Sequence, residues 1–132
     1  MHMGRFFAPQ PFFRALLALG MIAIGILHFV LNEQFERVMP AYIPAHRGLV
    51  LISGLFEVAG GAGLLIPASR RYASFGLVAL YVAVFPVNVD MALHPAADAA
   101  PWLRVALWLR LPLQGVLIAW ALWVGRGSVH PA

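Results

Sequence analysis

Four apolar stretches, each about as long as a bilayer's hydrocarbon core is thick, take up most of this chain and leave little from which to build anything else. They run over Phe12–Leu31, Gly48–Ile66, Tyr72–Val89 (continuing toward Leu93) and Leu103–Val124. A core of roughly 30 Å is spanned by about twenty helical residues, so each stretch predicts one membrane helix. Of 132 residues, 62% are hydrophobic and 11% charged, and the mean hydropathy is +0.85. A soluble domain this small has no interior large enough to hide so much apolar surface. The expected fold class is all-α, a single four-helix transmembrane bundle over residues 1–132 with helices at about 12–31, 48–66, 72–93 and 103–124. The first stretch is expected to stay in the protein, because Asn32-Glu33-Gln34-Phe35 follows it where a cleaved signal would carry small residues. Met1-His2 reads either as a cloning remnant in front of a native Met3 or as native sequence, and carries no part of the functional reading.

The charges fall in the connections. All nine basic residues are arginines, against five acids, and they do not form the aromatic-interleaved stripe that binds nucleic acid. Arg5, Arg14, Arg70, Arg71 and Arg126 share one side of the expected bundle with no acid. The other side holds Arg37, Arg47 and Arg104 with Glu33, Glu36, Asp90 and Asp98. An excess of arginine marks the cytoplasmic side, so both termini are expected inside, in a bacterial cytoplasmic (inner) membrane. There is no cysteine, which excludes thiolate catalysis, in-chain disulfide exchange and iron–sulfur ligation.

The informative residues are the polar ones within the apolar runs. Glu57 stands at the midpoint of Gly48–Ile66, about 13 Å from either end. An ionisable group at that depth is costly and persists where it is paired, neutral or facing a wet cavity. His28, Asn88, Arg110 and Gln114 fall in the outer halves of the other three helices, which points to one polar pocket opening outward. Ser53, Gly54, Gly60 and Gly61 surround Glu57 at helical spacing and leave its face nearly bare, so another helix can approach closely. Pro86 and Pro112 should release the Val82 and Trp108 carbonyls beside the cluster, and Tyr81 and Phe85 lie below Asn88 as candidate aromatic walls.

Simpler readings accompany these. Glu57 and Arg110 could form a buried ion pair that fixes helix against helix, with Asn88 and Gln114 completing its hydrogen bonds. His28 could be a structural histidine. His28, His46, His94, Asp90 and Asp98 share an end, but no two histidines have ligand spacing on a helix, so no metal or haem is expected. Trp102, Trp120, Trp123 and Tyr72 read as interfacial anchors, as do Phe6, Phe7, Phe12 and Phe13 around Pro9 and Pro11 together with the flanking Arg5 and Arg14. In the loop Gln34–Arg47, the segment Met39 to His46 with Tyr42 is apolar and carries two prolines. It reads either as an interfacial connector or as a lid over the pocket mouth.

Taken in order, Gly25-Ile26-Leu27-His28-Phe29, Met39 to His46, Ser53 to Gly61, Leu64-Leu65-Ile66-Pro67, Val84-Phe85-Pro86-Val87-Asn88 and Arg110-Leu111-Pro112-Leu113-Gln114 resemble the DoxX-like family of small bacterial membrane proteins over about residues 20–124. The resemblance implies a subunit associated with quinone-linked or other membrane redox systems, and it carries over His28, Glu57, Asn88, Arg110 and Gln114 as a polar motif set without a catalytic role. The leading expectation is a non-catalytic accessory protein that binds a small amphipathic molecule, quinone-like or lipid-like. His28, Asn88 and Arg110 would donate to its oxygens, Tyr81 and Phe85 would pack its ring, and Glu57 would hold the counter-charge or a proton. The alternative is a membrane scaffold or assembly chaperone whose glycine-rich faces bind other membrane proteins. A small proton-coupled transporter ranks below both, since four helices leave little room for alternating access. A membrane or periplasmic redox partner and homo-oligomerisation both stay open.

Overall fold

Apolar side chains set the spans and prolines set several of the boundaries. A computed structural model describes residues 9–39 and 41–126, and its elements are α1 (Pro9–Val30), α2 (Asn32–Arg37), α3 (His46–Leu65), α4 (Arg70–Leu93) and α5 (Pro101–Val124). The fold is an all-α four-helix transmembrane bundle, α1, α3, α4 and α5 each being long and apolar enough to span a bilayer. These helices begin two or three residues before their apolar runs, because polar residues and Pro101 continue the helix into the headgroup region. Pro101 occupies the first helical turn of α5, where its missing N–H costs nothing. Pro86 and Pro112 lie inside α4 and α5, which run on past them. The expected readings of Met1-His2, Arg5, Phe6, Phe7 and Pro40 fall outside the described residues.

The short helix α2 lies where the sequence reading places a connection. Asn32–Arg37 holds neither proline nor glycine, Glu33 sits in its first turn and Arg37 in its last, and both charges suit the helix dipole. It almost continues α1, since the Leu31 N–H donates to the Leu27 carbonyl at 2.7 Å and the Phe35 N–H to the Leu31 carbonyl at 3.2 Å. Between α3 and α4 the chain turns within four residues. Ile66 is extended ahead of Pro67, and the open carbonyls of α3 are capped by side chains, Ser69 Oγ donating to Gly63 and Arg70 Nε to Leu64.

In the ring of helices α1 packs on α3, α3 on α4, α4 on α5, and α5 back on α1, with α1 against α3 the most extensive contact. Glycine makes that contact close. A Cβ on Gly25 would stand 2.6 Å from the Gly54 carbonyl oxygen, and one on Gly61 would stand 2.6 Å from that of Ala18. Gly60 and Gly63 make room on the other side for Leu77 and Ala73 of α4. The bare face around Glu57 is therefore filled by this chain's own helices.

The two halves of the bundle differ. At the end holding Pro9, Leu65, Arg70 and Val124, a dry core joins all four spanning helices through Leu17, Ala18, Met21, Leu64, Leu77, Tyr81, Ala121 and Val124. Toward the other end, among the described residues, Met91, Ala92 and Leu107 form a smaller apolar cluster, and buried His28, Asn88 and Gln114 share the interior with Val50. Outside, Leu19, Ile26, Leu55, Val82, Leu109 and Val116 are each about half exposed or more, as a lipid-facing surface requires.

One buried cation was misread from the sequence. Arg14, expected as an interfacial anchor, is buried, with Nε donating to the Val124 carbonyl at 2.8 Å and Nη2 to Arg126 at 3.3 Å. Gln10 Nε2 joins it on the Arg126 carbonyl at 3.2 Å and also donates to the Trp123 carbonyl at 2.8 Å. The guanidinium thus satisfies the C-terminal carbonyls and negative dipole end of α5, and holds the start of α1 to the end of α5. Trp120 is also drawn inward, its indole N–H donating to the Phe13 carbonyl, whereas Trp102 and Tyr72 are exposed as anchors would be. Arg14→Met is expected to lower stability by about 2–3 kcal/mol in detergent unfolding, the range for hydrogen bonds to a charged group. An unchanged midpoint would mean that water caps α5 equally well.

Candidate functional site

His28 is set near the end of α1 by Gly54, which lets the backbones of α1 and α3 close until a Cβ there would lie 2.7 Å from the His28 Cβ. The imidazole Nδ1 is 2.8 Å from the Ile24 carbonyl, one turn back, and 3.3 Å from Glu57 Oε2. With that N–H donated to Ile24, the carboxylate oxygen receives no hydrogen bond. Among the described residues, Glu57 Oε2 and Glu36 Oε1 are the buried side-chain oxygens that have no hydrogen-bond partner. Phe35 of α2 stacks flat on the imidazole, the ring centroids 4.1 Å apart at 12°.

From the opposite side of the bundle, Asn88 of α4 donates through Nδ2 to Gln114 Oε1 at 2.7 Å, and Gln114 Nε2 donates onward to the Tyr81 carbonyl. That carbonyl is next to Val82, the one Pro86 was expected to free. Both amides are buried, so this chain spends Gln114 on fixing Asn88. Arg110, one turn before Gln114 on α5, makes one side-chain hydrogen bond, a weak contact of Nη1 with the Met91 sulfur at 3.8 Å. A guanidinium has five N–H donors, so most of its capacity stays unspent within the protein.

His28, Glu57, Asn88 and Arg110 line one cavity of about 330 Å³. This is the volume expected of a small ligand site, at the lower end of the range. Phe35, Met39 and Ile43 close it toward the 31–45 connection. Ile52 and Phe56 of α3 and Ala83 of α4, all exposed, form a flank that faces lipid between those two helices.

A family model described as a domain of unknown function (DUF8561) matches residues 17–125. The chain belongs to that family. The DUF8561 match spans every residue of the cavity wall, from His28 to Arg110, together with Gln114. No curated protein and no solved structure matches the chain.

Several expected roles are corrected by this geometry. Glu57 and Arg110 form no ion pair within 4.0 Å; the close partner of Glu57 is His28. Tyr81 and Phe85 do not line the cavity. Tyr81 lies two turns deeper than Asn88 in the dry core, its hydroxyl against the Met21 sulfur at 2.6 Å, and Phe85 is turned outward with 41% of its surface exposed. The aromatic groups present are Phe35 and Phe56. Gln114 supports the cavity wall from behind. In the mouth segment, Met39 lines the cavity, Tyr42 is exposed and turned to a neighbouring cleft, and His46 begins α3 away from both. His94 pairs with Asp90 at 3.3 Å, and no three metal-binding side chains gather among the described residues.

Proposed function

We propose that this chain is a non-catalytic membrane subunit that holds a small amphipathic molecule, quinone-like or lipid-like, in the cavity between α3 and α4. The observation that carries this reading is the pairing of unspent polar capacity with an apolar entrance. Glu57 Oε2 has no hydrogen-bond partner and the Arg110 guanidinium has one weak contact, while Ile52, Phe56 and Ala83 face lipid beside them. A ligand with a carbonyl or hydroxyl head would take donors from Arg110 and Asn88. Its apolar part would leave sideways through the α3–α4 flank, with Phe35 and Phe56 near its ring. A service to a membrane or periplasmic redox partner, the kinship with DoxX-like proteins and the placement in a bacterial inner membrane with both termini cytoplasmic belong to the same proposal. The ordered motifs and the arginine asymmetry support them. The scaffold reading is weakened by the glycines, since Gly25, Gly54, Gly60 and Gly61 already receive this chain's own helices.

The test is mass spectrometry of small molecules released from gently purified protein. The native chain should release a quinone or lipid in near-stoichiometric amount. Ala83→Phe adds a ring at the lipid-facing flank without touching a polar group, and should cut retention about tenfold, the equivalent of about 1.4 kcal/mol, at unchanged thermal stability. Clean protein from both, recovered with another membrane protein attached, would favour the scaffold.

A further inference from the structure

At the opposite end of the bundle a second cavity, of about 750 Å³, is bounded by Arg70, Arg71 and Arg126, with Pro67, Phe75 and Leu122 as its apolar wall. Three cations around one hollow need a counter-charge, and among the described residues no carboxylate lies there. The acidic side chains are Glu33, Glu36, Glu57, Asp90 and Asp98: Glu57 lies at the middle of α3, and the other four lie at or near the far end. Arg14, the nearby buried cation, is already committed to the carbonyls that end α5. Arg70 spends Nε on the Leu64 carbonyl, which leaves its Nη groups, and Arg71 lies 5.7 Å above the Phe75 ring. Among the described residues none of the three has a carboxylate partner.

The depth of the walls sets the shape of a fitting occupant. Arg70 opens α4 and Arg126 follows the end of α5, so the guanidiniums stand at headgroup level. Phe75 and Leu122, both partly exposed, lie about one turn farther into the hydrocarbon. An occupant must present an anion at the interface and an apolar chain directly beneath it. We propose that this cavity is a binding site for an anionic phospholipid. Its phosphate is held by Arg70, Arg71 and Arg126, and an acyl chain lies along Phe75 and Leu122. Arginine suits the role because its planar fork meets two phosphate oxygens at once, and basic pockets between membrane helices are a known way of holding anionic headgroups.

The site is separate from the polar cavity near Glu57, so its test is independent of the function proposed above. Binding of phosphatidylglycerol to the purified full chain is measured by native mass spectrometry, against phosphatidylcholine of the same chain length and against inorganic phosphate. Phosphatidylglycerol should bind in preference to phosphatidylcholine. The pair Arg71→Gln with Arg126→Gln leaves the Arg70 cap on α3 in place and should weaken phosphatidylglycerol about thirtyfold, at roughly 1 kcal/mol for each cation removed. Phosphatidylcholine binding by the same variant should be unchanged, which also reports that it is folded. Equal binding of the two lipids, or a variant that binds phosphatidylglycerol as well as the native chain, overturns the proposal. Inorganic phosphate that displaces the lipid at equal concentration overturns it as well, and reassigns the three arginines to a soluble phosphate.

Discussion

Gly54→Ala is expected to cost the bundle about 3 kcal/mol or more, a large share of the 5–15 kcal/mol that holds a typical domain together. The added methyl would sit 2.7 Å from the His28 Cβ and 2.8 Å from the Gly25 carbonyl oxygen. The second of these is backbone, so no rotamer change relieves the clash and α1 must move away from α3. Gly115→Ala makes the control, because nothing lies within 4 Å of a Cβ there. It should be neutral or stabilising by up to about 1 kcal/mol, the ordinary gain of alanine over glycine inside a helix. Denaturant or thermal unfolding in mild detergent reads both. Gly25→Ala strikes the same contact from the other helix, so Gly25→Ala with Gly54→Ala should cost less than the sum of the two: once the helices are apart, the second methyl meets an open gap. Equal, small effects at Gly54 and Gly115 would mean that α1 and α3 can part at little cost.

The sequence was legible wherever one helix decides the outcome alone. Apolar length gives four spans, and rise per residue gives the level of each polar group. That is why His28, Glu57, Asn88 and Arg110 were expected at one cavity and do line it. It was illegible where the answer depends on which helices are neighbours. Glu57 finds His28 and not Arg110 because α3 packs against α1 and α4, leaving α5 diagonal in the ring, an order that hydropathy does not encode. Phe85 precedes Asn88 by three residues, a rotation of about 60° that is enough to carry it from the interior to the lipid. Tyr81 shares the face of Asn88 but lies two turns below it, in the dry half. Arg14 and Phe35 were hidden for a different reason: an arginine near a helix end and a phenylalanine in a connection look like ordinary interfacial residues until their partners, the α5 carbonyls and the His28 ring, are known.

Arg110→Met is expected to lower stability by about 2–3 kcal/mol, and Arg110→Met with Glu57→Gln to recover part of that loss. The structure changes the reason for this expectation. The two groups do not touch, and a contact ion pair cannot be what Arg110 contributes. They are instead an acidic and a basic group of one cavity wall, each with little protein bonding of its own, so the field of the guanidinium offsets a charge on Glu57 across the space between them. Removing the arginine leaves Glu57 facing His28 and low-dielectric surroundings with no compensating cation. Replacing the carboxylate by an amide of the same shape removes that burden. In an unfolding cycle the double variant should therefore be more stable than the sum of single losses predicts, by about 1 kcal/mol or somewhat more. Strict additivity would show that each charge is satisfied separately, and the cavity would then be two polar residues sharing a void rather than one site built to hold a polar head.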